Sequence, residues 1–221
     1  MNARSFALVF VALALVLGVA ACGSSKSGSA SAPGQIIAPT PSAKDPAPFP
    51  APSDPMARTR AAGLVPEPAE ELAYHVHSHL DVFIDAVHIL VPAGLGIDTT
   101  NRGVHKLKTD GLPSYGGIVV PCDSPCISPL HTHDVTGILH TESSTPKGNT
   151  LGELFIEWNV RLDANCFASY CKPDTAVAVY VNGTRFAGDP RTITLVDRTE
   201  IAVVVGTPPA QIPNTADWTQ I

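Results

Sequence analysis

Six of the chain's eight histidines fall into two short clusters, His75-Val-His77-Ser-His79 and His131-Thr-His133, with His140 just beyond the second. Imidazole is the commonest protein metal ligand, and its ordinary pKa leaves much of it neutral and able to coordinate near pH 7. A single strand histidine is ordinarily structural, hydrogen bonded to a carbonyl or carboxylate. Three in alternation are different, because burying several unpaired imidazoles is costly and exposing them all is an unusual use of the residue. A second row with the same spacing strengthens the case for metal binding. His77, His79, His131 and His133 are the first candidates for a three- or four-ligand site. His75 and His140 are further ligands, supporting groups or members of a second site. Asp81, Asp134 and Glu142 are candidates to orient the rings, since a ligating histidine donates its other N–H to a carboxylate or carbonyl. His88 and His105 stand apart as surface or structural residues. A structural histidine–aspartate network and a solvated, pH-responsive patch are the competing readings.

Imidazole-dominated sites suit zinc, copper(II), iron or nickel. The two methionines are Met1 and Met56, both N-terminal to the histidines. Their position weighs against a methionine-rich copper(I) carrier and, with the cysteines bridged, against a blue-copper centre. Copper(II) and zinc remain, and affinity alone favours copper.

The elements that must position these rings read mostly as strand. Over residues 74–84, Val76, Leu80, Val82 and Ile84 point one way while His75, His77, His79 and Asp81 point the other, the pattern of a half-buried strand. Residues 87–91 form its hairpin partner. A glycine- and proline-punctuated loop follows, holding one short strand at 118–120. Residues 130–133 and 138–142 flank Asp134-Val-Thr-Gly137, a plausible four-residue turn that pairs His133 with Ile138 and sets His131 opposite His140. Thr150-Leu-Gly-Glu153 reads as a capping box, opening a helix that buries Leu151, Leu154, Phe155 and Trp158. Asn182-Gly183 joins strands at 177–181 and 184–186 through a type I′ turn, and strands at 193–196 and 200–205 complete the set. The expected class is α+β, mostly antiparallel strands with one main helix, loosely similar to a β-grasp fold with the second histidine hairpin as an insertion. A β-sandwich is the alternative.

Cys122, Cys126, Cys166 and Cys171 admit three pairings, of which the local ones, Cys122–Cys126 and Cys166–Cys171, are preferred. Their spacing is not that of a zinc ribbon, and an exported chain favours disulfides over free thiolates. Export is the reading of residues 1–21: a basic n-region, an apolar run from Phe6 to Val19, then small residues. Val19-Ala20-Ala21-Cys22 resembles the lipobox of bacterial lipoproteins. That resemblance implies lipidation of Cys22, palmitate included, cleavage before it, and anchoring at the outer, extracytoplasmic face of the bacterial cell membrane. Residues 22–68 are then a lipidated cysteine followed by a disordered Pro/Ser/Ala-rich stalk. Residues 69–221 form a single globular domain, large enough for its own core. The net charge of −6 and the lack of a basic patch argue against a nucleic-acid partner. The membrane, reached through the N-terminal lipid, is the expected partner. No protein partner is indicated.

The body, on His75-Val-His77-Ser-His79-Leu80-Asp81, Leu130-His131-Thr132-His133-Asp134 and Gly137-Ile138-Leu139-His140, resembles a group of exported bacterial proteins of undefined function. The similarity spans most of the domain and hands over no activity. The cupin pattern fails because Glu142 lies too far beyond His133, and the ligand and loop pattern of copper-zinc superoxide dismutases is not visible. A binding protein for copper or zinc therefore ranks first, for sequestration, delivery or sensing. A metalloenzyme ranks second, since neither a His-Glu-x-x-His helix nor a nucleophile elbow occurs. A stalked interaction module is third.

Overall fold

The computed structural model describes residues 34–37, 48–109, 111–116, 118 and 121–221. The expected signal peptide, the lipobox with Cys22, the stalk apart from residues 34–37 and 48–68, and all but one residue of the strand expected at 118–120 lie outside them. The chain divides into two compact units, Met1–Gly34 and Gln35–Ile221, and the fold described is that of the second. Its elements in chain order are α1 (Pro55–Ala61), β1 (Tyr74–Ile84), β2 (Val87–Ile89), β3 (His105–Thr109), β4 (Leu112–Gly116), β5 (Leu130–His131) and β6 (Ile138–Ser143). There follow α2 (Leu151–Trp158), β7 (Cys166–Phe167), β8 (Tyr170–Cys171), β9 (Val177–Val181), β10 (Thr184–Arg185) and β11 (Thr199–Val205). Among the described residues no helix is long and apolar enough to cross a membrane.

Seven strands form one sheet in the order β10-β9-β11-β1-β6-β5, with β2 also on β1. β1 runs parallel to β11 and every other pairing is antiparallel. The 11-residue β1 is long enough to serve two partners along one edge, β6 on residues 74–79 and β2 on residues 82–84. The path β2-β1-β11-β9-β10, with α2 preceding β9 in the chain, is the expected α+β arrangement, and β5–β6 is its inserted hairpin.

The apolar face of β1 meets the main core, where Leu80 and Val82 join Leu139, Ile201 and Val203 from neighbouring strands. α2 covers that face. Thr150 and Glu153 form the complete reciprocal capping box, and Leu151, Leu154, Phe155 and Trp158 are buried. The polar face of β1 is not simply solvated: toward its C-terminal end His79 and Asp81 are buried, and Phe83 packs with Ala202 and Val204 in a second apolar cluster. Both disulfides are the local ones, Cys122–Cys126 and Cys166–Cys171, the latter across the β7–β8 pair.

Several expectations need correction, among them the strand expected at 193–196, which is only an isolated bridge of Thr194 to Thr150. Residues 48–68 belong to the fold and not to a disordered stalk. α1 carries a buried Thr59, Leu64 enters the core, and Glu67 pairs with Ile127. Trp158 donates its indole N–H to the carbonyl of Phe49 at 2.8 Å, and the Phe49 ring stands edge-on to Trp158 and Phe167. Met56 therefore lies in α1. Proline enrichment hid the segment, yet Pro55 sits in the first helical turn, where the missing N–H costs nothing. The region read as loop between β2 and β5 holds the β3–β4 hairpin, concealed by Gly111, Pro113 and Gly116.

Candidate metal centre

The register of three strands assembles the histidines. β6 lies between β1 and β5, so His140 pairs with His77 on one side and with His131 on the other. One step along, His75 pairs with Glu142. Direct cross-strand partners hold their Cβ atoms about 5 Å apart, close enough for side chains to share a ligand. The His131–His140 pair is the one the hairpin spacing predicts. The four-residue turn is not formed: β5 ends at His131, so His133 does not pair with Ile138. Instead His133 leaves the sheet and docks on β4, its carbonyl accepting from the Tyr115 N–H at 2.9 Å.

That excursion turns the His133 ring back toward its neighbours. Its Nδ1 donates to the Tyr115 carbonyl at 2.5 Å, and Nδ1 of His131 donates to the Ser128 carbonyl at 2.8 Å. With both Nδ1–H groups committed, each neutral ring presents a lone pair at Nε2, and the two Nε2 atoms stand 3.4 Å apart. Two lone pairs facing each other have nothing to share without a cation or proton between them. Two imidazole nitrogens on one tetrahedral zinc, with bonds of about 2.05 Å, lie about 3.3–3.4 Å apart. Backbone carbonyls thus orient these rings, a role the sequence reading assigned to carboxylates.

Glu142 is a candidate ligand as well as an orienter. Its Oε1 lies 3.2 Å from His75 Nε2, 3.6 Å from His140 Nδ1 and 3.7 Å from His131 Nε2. Both of its oxygens are buried with no hydrogen bond. Burial, then the charges of Glu70 and Glu67, push its carboxyl up to about 8. Burial holds His131 and His140 well below the ordinary imidazole range, and neighbouring histidines lower them further. His75 and His77 are also lowered, chiefly by burial. Rings that resist protonation are poor cationic partners for Glu142 and good neutral donors to a metal.

The residues resolve into two overlapping groups with ligand atoms within 4.8 Å of one another: His131, His133, His140 and Glu142, and His75, His77 and His140. His140 belongs to both. A cavity of about 300 Å³ opens on His133 and His140, with Glu70, Ser114, Tyr115 and Ile221 along its wall. No family model, curated protein or solved structure matches this chain. The chemistry of the site therefore rests on these residues alone.

His79, expected among the first ligands, is placed elsewhere. Its cross-strand partner on β6 is Ile138, which carries no donor, and on β11 it is Glu200. His79, Asp81 and Glu200 make a third, buried group. Burial lowers the His79 imidazole, but the adjoining Glu200 and Asp81 charges outweigh it and the net direction is up. His88, set apart by the sequence reading, contacts Asp81 through Nε2 at 2.7 Å. His105 lies exposed on β3. Asp134 accepts from the Thr136 N–H and hydroxyl and caps the loop, outside these three groups. Glu200 escaped the sequence reading although a signal was there: it is an acidic residue opening the otherwise apolar run of β11.

Proposed function

We propose that this chain is an exported lipoprotein, held by lipid on Cys22 at the outer face of a bacterial cell membrane, that binds zinc or copper(II) where β1, β5 and β6 meet. Sequestration, delivery or sensing of the ion are the roles such a surface protein fills. The observation that carries the reading is the pair of Nε2 atoms 3.4 Å apart on His131 and His133, each ring fixed by a carbonyl at its other nitrogen. That spacing favours a tetrahedral ion, hence zinc. Square-planar copper(II) with similar bonds would want cis nitrogens about 2.9 Å apart, and the two rings would have to close toward each other.

The test is a titration of the purified chain with zinc and with copper(II) against a competing chelator. The His131→Ala/His133→Ala variant is expected to bind at least about 100-fold more weakly, beyond the roughly 10- to 100-fold that losing an outer-shell partner costs. Equal affinity in both proteins would sink the metal reading. Intact mass of the chain from a lipoprotein-processing host, with Cys22→Ala as control, reads the acylation. The cavity beside His133 and His140 supports a second reading, an extracytoplasmic metalloenzyme whose small substrate reaches the ion there. Turnover of hydrolysable or oxidisable substrates by metal-loaded protein, lost in His133→Ala, would move that reading to first place.

A further inference from the structure

The third histidine of the first cluster has its own surroundings. We propose that His79, Asp81 and Glu200 form a second, buried site for a divalent transition cation, structural in role and separate from the centre on β5 and β6. His79 and Glu200 are register partners on the parallel strands β1 and β11, and Asp81 follows His79 on the same face. All three are buried, at 4%, 0% and 0% exposure. The Thr136 carbonyl accepts from His79 Nε2 at 2.7 Å, which leaves Nδ1 as the coordinating nitrogen. Nδ1 stands 2.9 Å from Glu200 Oε2 and 4.0 Å from Asp81 Oδ2. These separations bracket the roughly 3.3 Å between ligand atoms on a tetrahedral ion.

Four atoms there are buried with no hydrogen bond: His79 Nδ1, Asp81 Oδ2 and both carboxylate oxygens of Glu200. The approach of Nδ1 to Glu200 is an ion pair. Among the described residues no lysine or arginine pairs with either carboxylate; the groups facing them are His79 and, through Asp81 Oδ1, His88. The only counter-charges these two buried acids meet are the titratable imidazoles of His79 and His88, and a divalent cation would take the place of the His79 proton while taking up the orphaned atoms. His88 orients Asp81 from outside the ligand set. One imidazole and two carboxylates suit zinc, manganese or iron(II) better than a soft copper(I) ion. The loop closes the site, since a Cβ on Gly137 would lie 2.9 Å from His79 Nε2 and 2.6 Å from the Leu80 carbonyl. An ion enclosed there would tie β1 to β11 and exchange slowly, unlike one beside the open cavity.

The experiment uses the full chain carrying His131→Ala/His140→Ala, which breaks both groups of the first centre because His140 belongs to each. This variant is expected to keep about one equivalent of zinc through dialysis and to melt several degrees lower once stripped. Glu200→Gln added to it is expected to lose the ion. Should that triple variant not fold, zinc X-ray absorption on the double variant decides: one imidazole among oxygen donors supports the site, and two or more imidazoles overturn it. A double variant that holds no zinc or manganese, and whose melting temperature neither ion moves, overturns it too. The first centre is tested separately by its own affinity loss, so either site can fail alone.

Discussion

Nε2 of His131 faces Nε2 of His133 because two carbonyls, not two acids, hold the opposite nitrogens, so the centre depends on backbone placement as much as on side-chain identity. Glu142 adds an oxygen beside three of the imidazoles that becomes negative when an ion displaces its proton. Glu142→Gln keeps the shape and removes the charge that an ion would gain. We expect it to weaken zinc binding by about 10- to 100-fold in the same chelator competition, with little change in the melting temperature of the metal-free protein. Another buried acid lies on α2. Glu157, on the core side of α2, has its carboxyl pushed up to about 8 by burial, against the opposing pull of the Ser128 and Thr59 hydroxyls. Because the folded chain binds this proton more tightly than the unfolded chain, its contribution is complete below about pH 4.5. It falls as pH rises toward 8, by up to about 1.4 kcal/mol per pH unit. Urea melts of Glu157→Gln should show a shallower loss of stability between pH 5 and 8 than wild type; parallel curves would contradict the assignment. The alternation of β1 exposed the histidines to a sequence reading, whereas Glu157 and Glu200 went unread because an acid inside an apolar stretch looks like a solvated position until its neighbours are known.

At the scale of elements, β6 decides the site. Among the described residues it is the one strand paired with both histidine rows, and its register puts His140 between His77 and His131. β4 is the less obvious support, since Tyr115 holds His133 from both its N–H and its carbonyl. Gly116 follows it at φ +144°, and a Cβ there would run into the His133 ring. Gly116→Ala should therefore weaken metal binding about tenfold or more without altering any ligand, while a remote alanine substitution does not. Thr150→Ala removes the hydroxyl half of the capping box and should cost about 1 kcal/mol in denaturant unfolding with metal affinity unchanged, because α2 lies on the opposite, apolar face. The capping box and the His131–His140 pairing were legible because each depends on residues within about ten positions. β3–β4 was not, since its glycines and proline carry the same signature as a loop.

For the whole molecule, the N-terminal boundary moves. Phe49 covers Trp158 and Phe167, and Leu64 fills the same core, so a chain beginning at residue 69 would expose that surface. Such a truncation should lose about 3 kcal/mol or more relative to one beginning at residue 48, read from denaturant melts and from a red-shifted tryptophan emission. Equal stability would return residues 48–68 to the stalk. Legible in the chain alone were the histidine-bearing strand, the His131–His140 pairing, the principal helix with its cap and a preference for the two local disulfides. Each of these follows from periodicity or from chemistry between near neighbours in the chain. Packing between distant segments brings the two histidine rows together, parts His79 from them to join Glu200, and lets carbonyls of Ser128 and Tyr115 set the rings. Strand order and the choice of edge are settled by packing between segments about 60 to 120 residues apart, and alternation along one strand reports which face a side chain takes but not which strand comes to lie beside it.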